Sequence, residues 1–184
     1  AGPSLLQSST YRLPDERLLE LITPERARET NPAARLPLHA AAAYTDSEAV
    51  IRRLIEVHPE AARSRTAILG ELPLHEAARC TSSPDVILAL IEAYPDGVRE
   101  ANRADETPLH KAAYNVFLPV VRAVLEAYPE ALHMAQAAPA HTGPTPGRIA
   151  ELHNRNPDVA ALLHERAARF GWFARFPRFL SFAW

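Results

Sequence analysis

Leu36-Pro37-Leu38-His39-Ala40-Ala41 returns as Leu72-Pro73-Leu74-His75-Glu76-Ala77 and again as Thr107-Pro108-Leu109-His110-Lys111-Ala112, with the prolines 36 and 35 residues apart. A second landmark keeps step: Leu54-Ile55-Glu56-Val57-His58-Pro59-Glu60, then Leu90-Ile91-Glu92-Ala93-Tyr94-Pro95-Asp96, then Val124-Leu125-Glu126-Ala127-Tyr128-Pro129-Glu130. Self-similarity at a fixed period of about 20–50 residues is the signature of stacked units, none of which can bury its apolar face alone.

Each unit has a local logic. Proline at the first helical position gives up only an N–H that has no intrahelical partner, and its fixed φ suits helix entry, so Pro37, Pro73 and Pro108 each open a first helix. Alanine pairs such as Ala77-Ala78 and Ala112-Ala113 keep that helix slim enough for close packing. The second helix carries apolar pairs at i, i+1, i+4 and i+5: Val50, Ile51, Leu54, Ile55, then Val86, Ile87, Leu90, Ile91, then Val120, Val121, Val124, Leu125. That spacing makes one buried face. Pro59, Pro95 and Pro129 follow, each biasing the preceding residue out of the α region and ending the helix.

Thr107-Pro108-Leu109-His110 with Ala112-Ala113, followed by Pro119-Val120-Val121-Arg122-Ala123-Val124-Leu125-Glu126, resembles the T-P-L-H-x-A and second-helix pattern of the ankyrin-repeat family. The resemblance covers roughly residues 36–163 and has two departures. Units are 35 or 36 residues long instead of about 33, and Tyr-Pro-Glu or His-Pro-Glu stands where the family ends its second helix with Gly-Ala. It implies an all-α solenoid with degenerate terminal caps. Leu18-Leu19-Glu20-Leu21-Ile22-Thr23-Pro24-Glu25 matches only the second half of a unit. Thr145-Pro146-Gly147-Arg148-Ile149-Ala150 repeats the opening of a first helix without the histidine, and 158–170 supply a last helix. The predicted organisation is an N-terminal extension and half-repeat cap over 1–35, then repeats over 36–163 as three full units and a divergent fourth. A basic aromatic tail fills 164–184.

Composition agrees with an all-α chain. Alanine is frequent and only 6 Gly occur in 184 residues, which favours helix over sheet. A net charge of −2 creates no field that draws the chain to nucleic acid. The charge is uneven, however: residues 166–184 hold four Arg and no acid, leaving 16 basic against 22 acidic residues elsewhere. Cys80 is the single cysteine, so no intrachain disulfide forms and a reducing intracellular compartment is expected. No apolar run approaches the ~18 residues of a spanning helix. The start at Ala1 fits either a trimmed terminus or a mature form whose targeting peptide has been removed, with chloroplast or mitochondrion the expected location in the second case.

The chain offers little catalytic chemistry. His39, His75 and His110 share one repeat position, and stacked helices roughly 8–10 Å apart hold them too far from one another to share a zinc ion. The ankyrin resemblance implies that this side chain orders the turn through backbone hydrogen bonds. Cys80 beside His75 lacks an orienting group and an oxyanion site, and reads as a partly buried structural thiol. Gly143-Pro144-Thr145-Pro146-Gly147 lacks the Lys and Ser/Thr of a phosphate-binding loop and reads as a loop tip.

The resemblance therefore implies a non-enzymatic module, without cofactor or metal, that binds protein. Its partner-facing positions map onto Tyr44, Glu76, Arg79, Lys111, Tyr114 and Asn115 of the first helices, with Arg65 and Arg103 from the loops. Tyr and Arg are enriched at interface hot spots, although each position taken singly also reads as ordinary surface. The tail is the other candidate. Phe170, Phe173, Phe176, Phe179 and Phe182 recur every third residue among Trp172, Arg175, Arg178 and Trp184. Gly171 and Pro177 argue against one unbroken helix, and a period of three fits an extended or polyproline-like path, or short helical turns. Rings left in water would make the protein sticky. The expected function is a scaffold or peripheral subunit of a larger assembly, such as a photosynthetic or respiratory membrane complex, anchored by this tail. The alternatives are a tail that caps the last repeat, a membrane-surface adaptor holding lipid through the tail, and a free soluble adaptor.

Overall fold

A computed structural model describes residues 3–132 and 144–175, the last six as backbone only, and every regular element among them is helical. After a 3-10 turn over Ser8–Arg12 come α1 (Asp15–Leu21) and α2 (Pro24–Ala27). Three helix pairs follow: α3 (Pro37–Tyr44) with α4 (Glu48–Val57), α5 (Pro73–Cys80) with α6 (Pro84–Ala93), and α7 (Pro108–Ala112) with α8 (Leu118–Ala127). The last pair is α9 (Pro146–His153) and α10 (Pro157–Arg175). Equivalent helices meet across units. The first helices pack α3 on α5, α5 on α7 and α7 on α9, and the second helices pack α4 on α6, α6 on α8 and α8 on α10.

Local chemistry places the boundaries. Pro37, Pro73 and Pro108 each occupy the first turn of a first helix, as the spacing predicts. Pro59 and Pro95 both close a second helix and open a five-residue 3-10 turn, Pro59–Arg63 and Pro95–Arg99. A short turn that sequence reading missed joins each pair, three residues long except between α7 and α8, where it has five. Thr45, Thr81, Asn115 and Asn154 each accept, through a side-chain oxygen, the N–H two residues on, at 2.8–3.1 Å.

The uneven repeat length has two sources. The loop before each first helix is closed by Asn31 N–H to Arg35 O, Thr66 N–H to Glu71 O and Asn102 N–H to Glu106 O, so the middle loop holds one residue more. Gly70 takes φ +64° there, the left-handed conformation that glycine adopts at no cost, and Ala34 and Asp105 adopt it in the other two loops. In the third unit α7 stops early and the turn to α8 is correspondingly rebuilt, which removes a residue.

Both apolar pairs of every second helix face inward. Val50, Ile51, Leu54, Val86, Ile87, Leu90, Val120, Val121, Val124 and Leu125 are buried, and Ile55 and Ile91 pack partly buried against them. The first helices contribute Ala40, Ala41, Ala77, Ala78, Ala112 and Ala113 to the same core. At the amino end Leu5, Leu18 and Ile22 close it, with the Tyr11 hydroxyl shared between Leu5 O at 2.7 Å and Pro37 O at 3.0 Å.

Three expectations change. Gly147 is not at a loop tip but in the first turn of α9, where a Cβ would meet the His164 ring at 3.0 Å. The last helix runs past Gly171 to Arg175, since one glycine costs a helix only about 1 kcal/mol. Cys80 is exposed at the end of α5. The tail positions Phe176, Arg178, Phe179, Phe182 and Trp184 lie outside the described residues, as do the side chains of Phe170, Trp172, Phe173 and Arg175. Among the described residues no helix is long and apolar enough to cross a membrane.

Candidate functional site

The first helices share one side of the molecule, and its polar framework is built from position three of each. The Nδ1 atoms of His39, His75 and His110 accept the backbone N–H of Leu36, Leu72 and Thr107 at 3.2–3.3 Å. The opposite nitrogen, carrying the proton, donates into the next unit: His39 Nε2 to Glu71 O and His75 Nε2 to Glu106 O, both at 3.1 Å. Burial strips these rings of water and drives the pKa of His39 and of His75 from 6.5 down to about 4, so both stay neutral near pH 7. With both nitrogens of His75 occupied by backbone, it has none left to activate Cys80. Desolvation also pushes the Cys80 thiol up, away from the reactive thiolate.

Above the histidines lies a staggered set of ion pairs. The loop-closing residues Arg35, Glu71 and Glu106 occupy equivalent positions, and each of the first two meets the first helix of the next unit. Arg35 Nη2 lies 3.4 Å from Glu76 Oε1, and Lys111 Nζ lies 2.9 Å from Glu71 Oε1 and 2.6 Å from Glu106 Oε2. Burial opposes the charge on Lys111, but the two carboxylates outweigh it and hold the ammonium above its usual value. Glu106 is held low in turn, its bond to Lys111 overcoming desolvation. Sequence reading missed Arg35, Glu71 and Glu106; the available signal for the first two was charge complementarity at a separation of 41 or 40 residues, one unit plus the loop-to-helix offset, whereas Glu106 meets Lys111 only five residues on.

The eight mapped partner-facing residues divide into three groups. Lys111, Asn115 and Glu76 are buried, with Lys111 only 8% exposed. The Asn115 amide donates to Ala78 O at 3.0 Å and Thr81 O at 2.8 Å, tying one unit to the previous one. These three hold the framework and are buried by the close inter-unit packing, where exposed positions were expected. Arg65 bridges Glu100, Gly70 O and Ala101 O, and Arg103 donates to Ala67 O and Ile68 O, so both clip neighbouring loop tips together. The exposed members on the helices are Tyr44, Arg79 and Tyr114. Arg35 stacks over the Tyr44 ring at 5.4 Å, Arg79 reaches Glu76 at 3.1 Å, and Tyr114 lies against His153. Each exposed side chain therefore contacts a neighbouring side chain, which restricts its motion and lowers the entropy lost when it is gripped.

The second landmark also has a structural task. Arg63 of one 3-10 turn lies 5.4 Å over the Tyr94 ring of the next unit, and Arg99 lies 5.0 Å over Tyr128. His58, the equivalent of those tyrosines, binds back to Ala27 O at 3.2 Å. The Tyr-Pro and His-Pro endings are thus inter-unit contacts. Among the described residues no three His, Cys, Asp or Glu side chains cluster as metal ligands do. No protein-family model matches the chain, and a search of curated proteins returns no match.

Proposed function

We propose that this chain is a non-enzymatic protein-interaction module of the ankyrin-repeat type, serving as a scaffold or peripheral subunit of a larger assembly. The repeat reading is supported by three helix pairs that reuse the same proline entry, the same inward apolar pairs and the same histidine relay. The observation that carries the functional reading is the row of exposed Tyr44, Arg79 and Tyr114 on one side, each braced by a neighbouring side chain. Rigid aromatic and guanidinium groups on a prepaid scaffold are what protein hot spots use. The test compares parent and Tyr44→Ala/Tyr114→Ala proteins as bait in extracts of the native source. A stoichiometric partner retained by the parent and lost from the variant at equal helicity supports the assignment; equal retention overturns this face as the interface.

A further inference from the structure

Beside the outer groove between α6 and α8 the repeat is broken twice, each time toward apolar residues. The residue directly before each second helix is Ser47, Ser83, Phe117 and Asn156 in turn, and the one before that is Asp46, Ser82, Val116 and Arg155. Serine and asparagine suit the position because they can accept a first-turn N–H, as Ser47 does from Val50 at 3.3 Å. Phe117 forgoes this: it makes no cap bond, and its side chain stands 46% exposed beside an exposed Val116. The second break is on α6, where position five is Leu88, between Arg52 of α4 and Arg122 of α8. Leu88 is 51% exposed.

The two breaks adjoin. Pro84, Leu88, Leu118 and Pro119 line the apolar end of a groove of about 550 Å³, and Phe117 directly precedes two of them. At the other end Arg122 lies beside Glu126, one turn further along α8, so the patch carries no net charge. The turn that holds Phe117 is fixed. Asn115 accepts its N–H at 2.9 Å, and the amides of Asn154 and Asn156 donate to Asn115 O at 2.8 Å and Val116 O at 2.9 Å. A braced, exposed ring next to an apolar groove puts a knob and a hole on one surface, and such a surface complements itself under a two-fold rotation, where every contact occurs twice. Arg122 and Glu126 obey the same symmetry, since two α8 helices crossing antiparallel set the arginine of each against the glutamate of the other. We propose that the chain forms a two-fold dimer through this patch, with Phe117 of each copy seated among Leu88, Leu118 and Pro119 of the second copy. The patch lies apart from Tyr44 and Arg79, so the dimer stands whether or not the first-helix face binds a partner, and it makes a module that does so bivalent.

The test follows the mass of the full chain by sedimentation over a concentration series, in which it is expected to pass from one copy to two. Phe117→Ser and Leu88→Arg each put back a repeat residue, the first removing the knob and the second filling the hole. Each is expected to weaken the dimer about tenfold or more at unchanged helicity, as loss of a central interface residue does. Phe117→Ser is also expected to hold or raise the urea midpoint of the dilute, monomeric chain, because it restores a helix cap; a ring that served only packing within the chain would lower it instead. In a mixture of the two variants, Phe117 of the Leu88→Arg chain still meets an intact groove on the Phe117→Ser chain, so the mixture is expected to associate more tightly than either variant alone. Leu69→Arg, on a loop tip, is expected to change nothing. A single copy at every concentration overturns the proposal, as does a mass that grows beyond two copies, a dimer indifferent to both variants, or a mixture no tighter than its components. A dimer lost in Tyr44→Ala/Tyr114→Ala but kept in Phe117→Ser overturns it in favour of the first-helix face.

Discussion

The two sides of the molecule satisfy their polar groups in opposite ways. On the first-helix side a set of buried polar groups pairs with the adjacent unit: His39 with Glu71 O, Arg35 with Glu76, Glu71 with Lys111, Asn115 with Ala78 and Thr81. On the second-helix side the apolar face points inward and the polar face meets water, where Arg52, Leu88 and Arg122 follow one another at one position without breaking the stack. Buried donors and acceptors left unpaired cost about 1–3 kcal/mol each, and exposed ones cost nearly nothing. The repeat is therefore strict where water is excluded and free where it is not. A departure on the free side carries information about contacts, while a departure on the strict side must come with its own compensation, as in the shortened α7 whose turn is closed by Asn115.

Acid should produce the largest difference between the two sides. His39 and His75 remain neutral in the folded protein down to about pH 4, whereas the unfolded chain takes up protons below about 6.5. Below that value the unfolded state binds protons that the folded state does not. Stability present above pH 6.5 is thus lost progressively until about pH 4, by roughly 3 kcal/mol per histidine at the lower limit. Urea midpoints measured at pH 7, 6, 5 and 4.5 should fall steadily, and less steeply in His39→Gln, where the titrating ring is gone. A flat profile between pH 6.5 and 4.5 would place these rings in contact with water. Leu90→Ala comes next, at about 2–5 kcal/mol, because it empties part of the central core and the cavity cannot fully collapse. A midpoint equal to the parent's would move Leu90 out of the core.

Lys111→Ala tests the strict side alone. It leaves Glu71 and Glu106 facing each other without their shared cation, and about 1–3 kcal/mol is expected from a site that is largely but not wholly dry. Lys111→Arg should recover part of this, and a variant as stable as the parent would make the pair ornamental. Charge reversal at Lys111 is correspondingly unsuited to probing partner binding, since it disrupts the framework first; the exposed Arg79 serves that purpose.

Much of this was legible in the sequence because the repeat multiplies each local signal. One Leu-Pro-Leu-His is weak, but three in register with three Tyr-Pro or His-Pro endings fix helix starts, helix ends and the buried pairs. The candidate surface was half legible. Tyr44, Arg79 and Tyr114 are exposed as mapped, but Glu76, Lys111 and Asn115 are not, because their burial depends on Arg35, Glu71 and Ala78 in the neighbouring unit, some 37 to 41 residues away. Periodicity within one unit carries no trace of such contacts. The helical passage through Gly171 was illegible for a different reason: helix propensity is a small term that a preceding run of good helix formers such as Ala167 and Ala168 overrides.

The smallest effect is expected at Arg52, and it bears most directly on whether the outer side is free to vary. Arg52→Leu gives α4 the residue that α6 already has, and removes two ion pairs at once, to Glu48 and to Glu92. All three side chains are well exposed, so water and salt stand ready to replace each contact, and ordering long side chains offsets what the pairs gain. The urea midpoint of Arg52→Leu should match the parent within error at 0.15 M salt, with a difference emerging only at low ionic strength, where screening is weak. The double variant Arg52→Leu/Leu88→Arg, which exchanges the two residues, should also fold with parental stability, because each is accommodated by the same outward-facing position. A loss in either variant as large as that of Lys111→Ala would mean that the outer ion pairs hold neighbouring units together. Leu88, which offers no such pair, would then mark the weakest junction between neighbouring second helices.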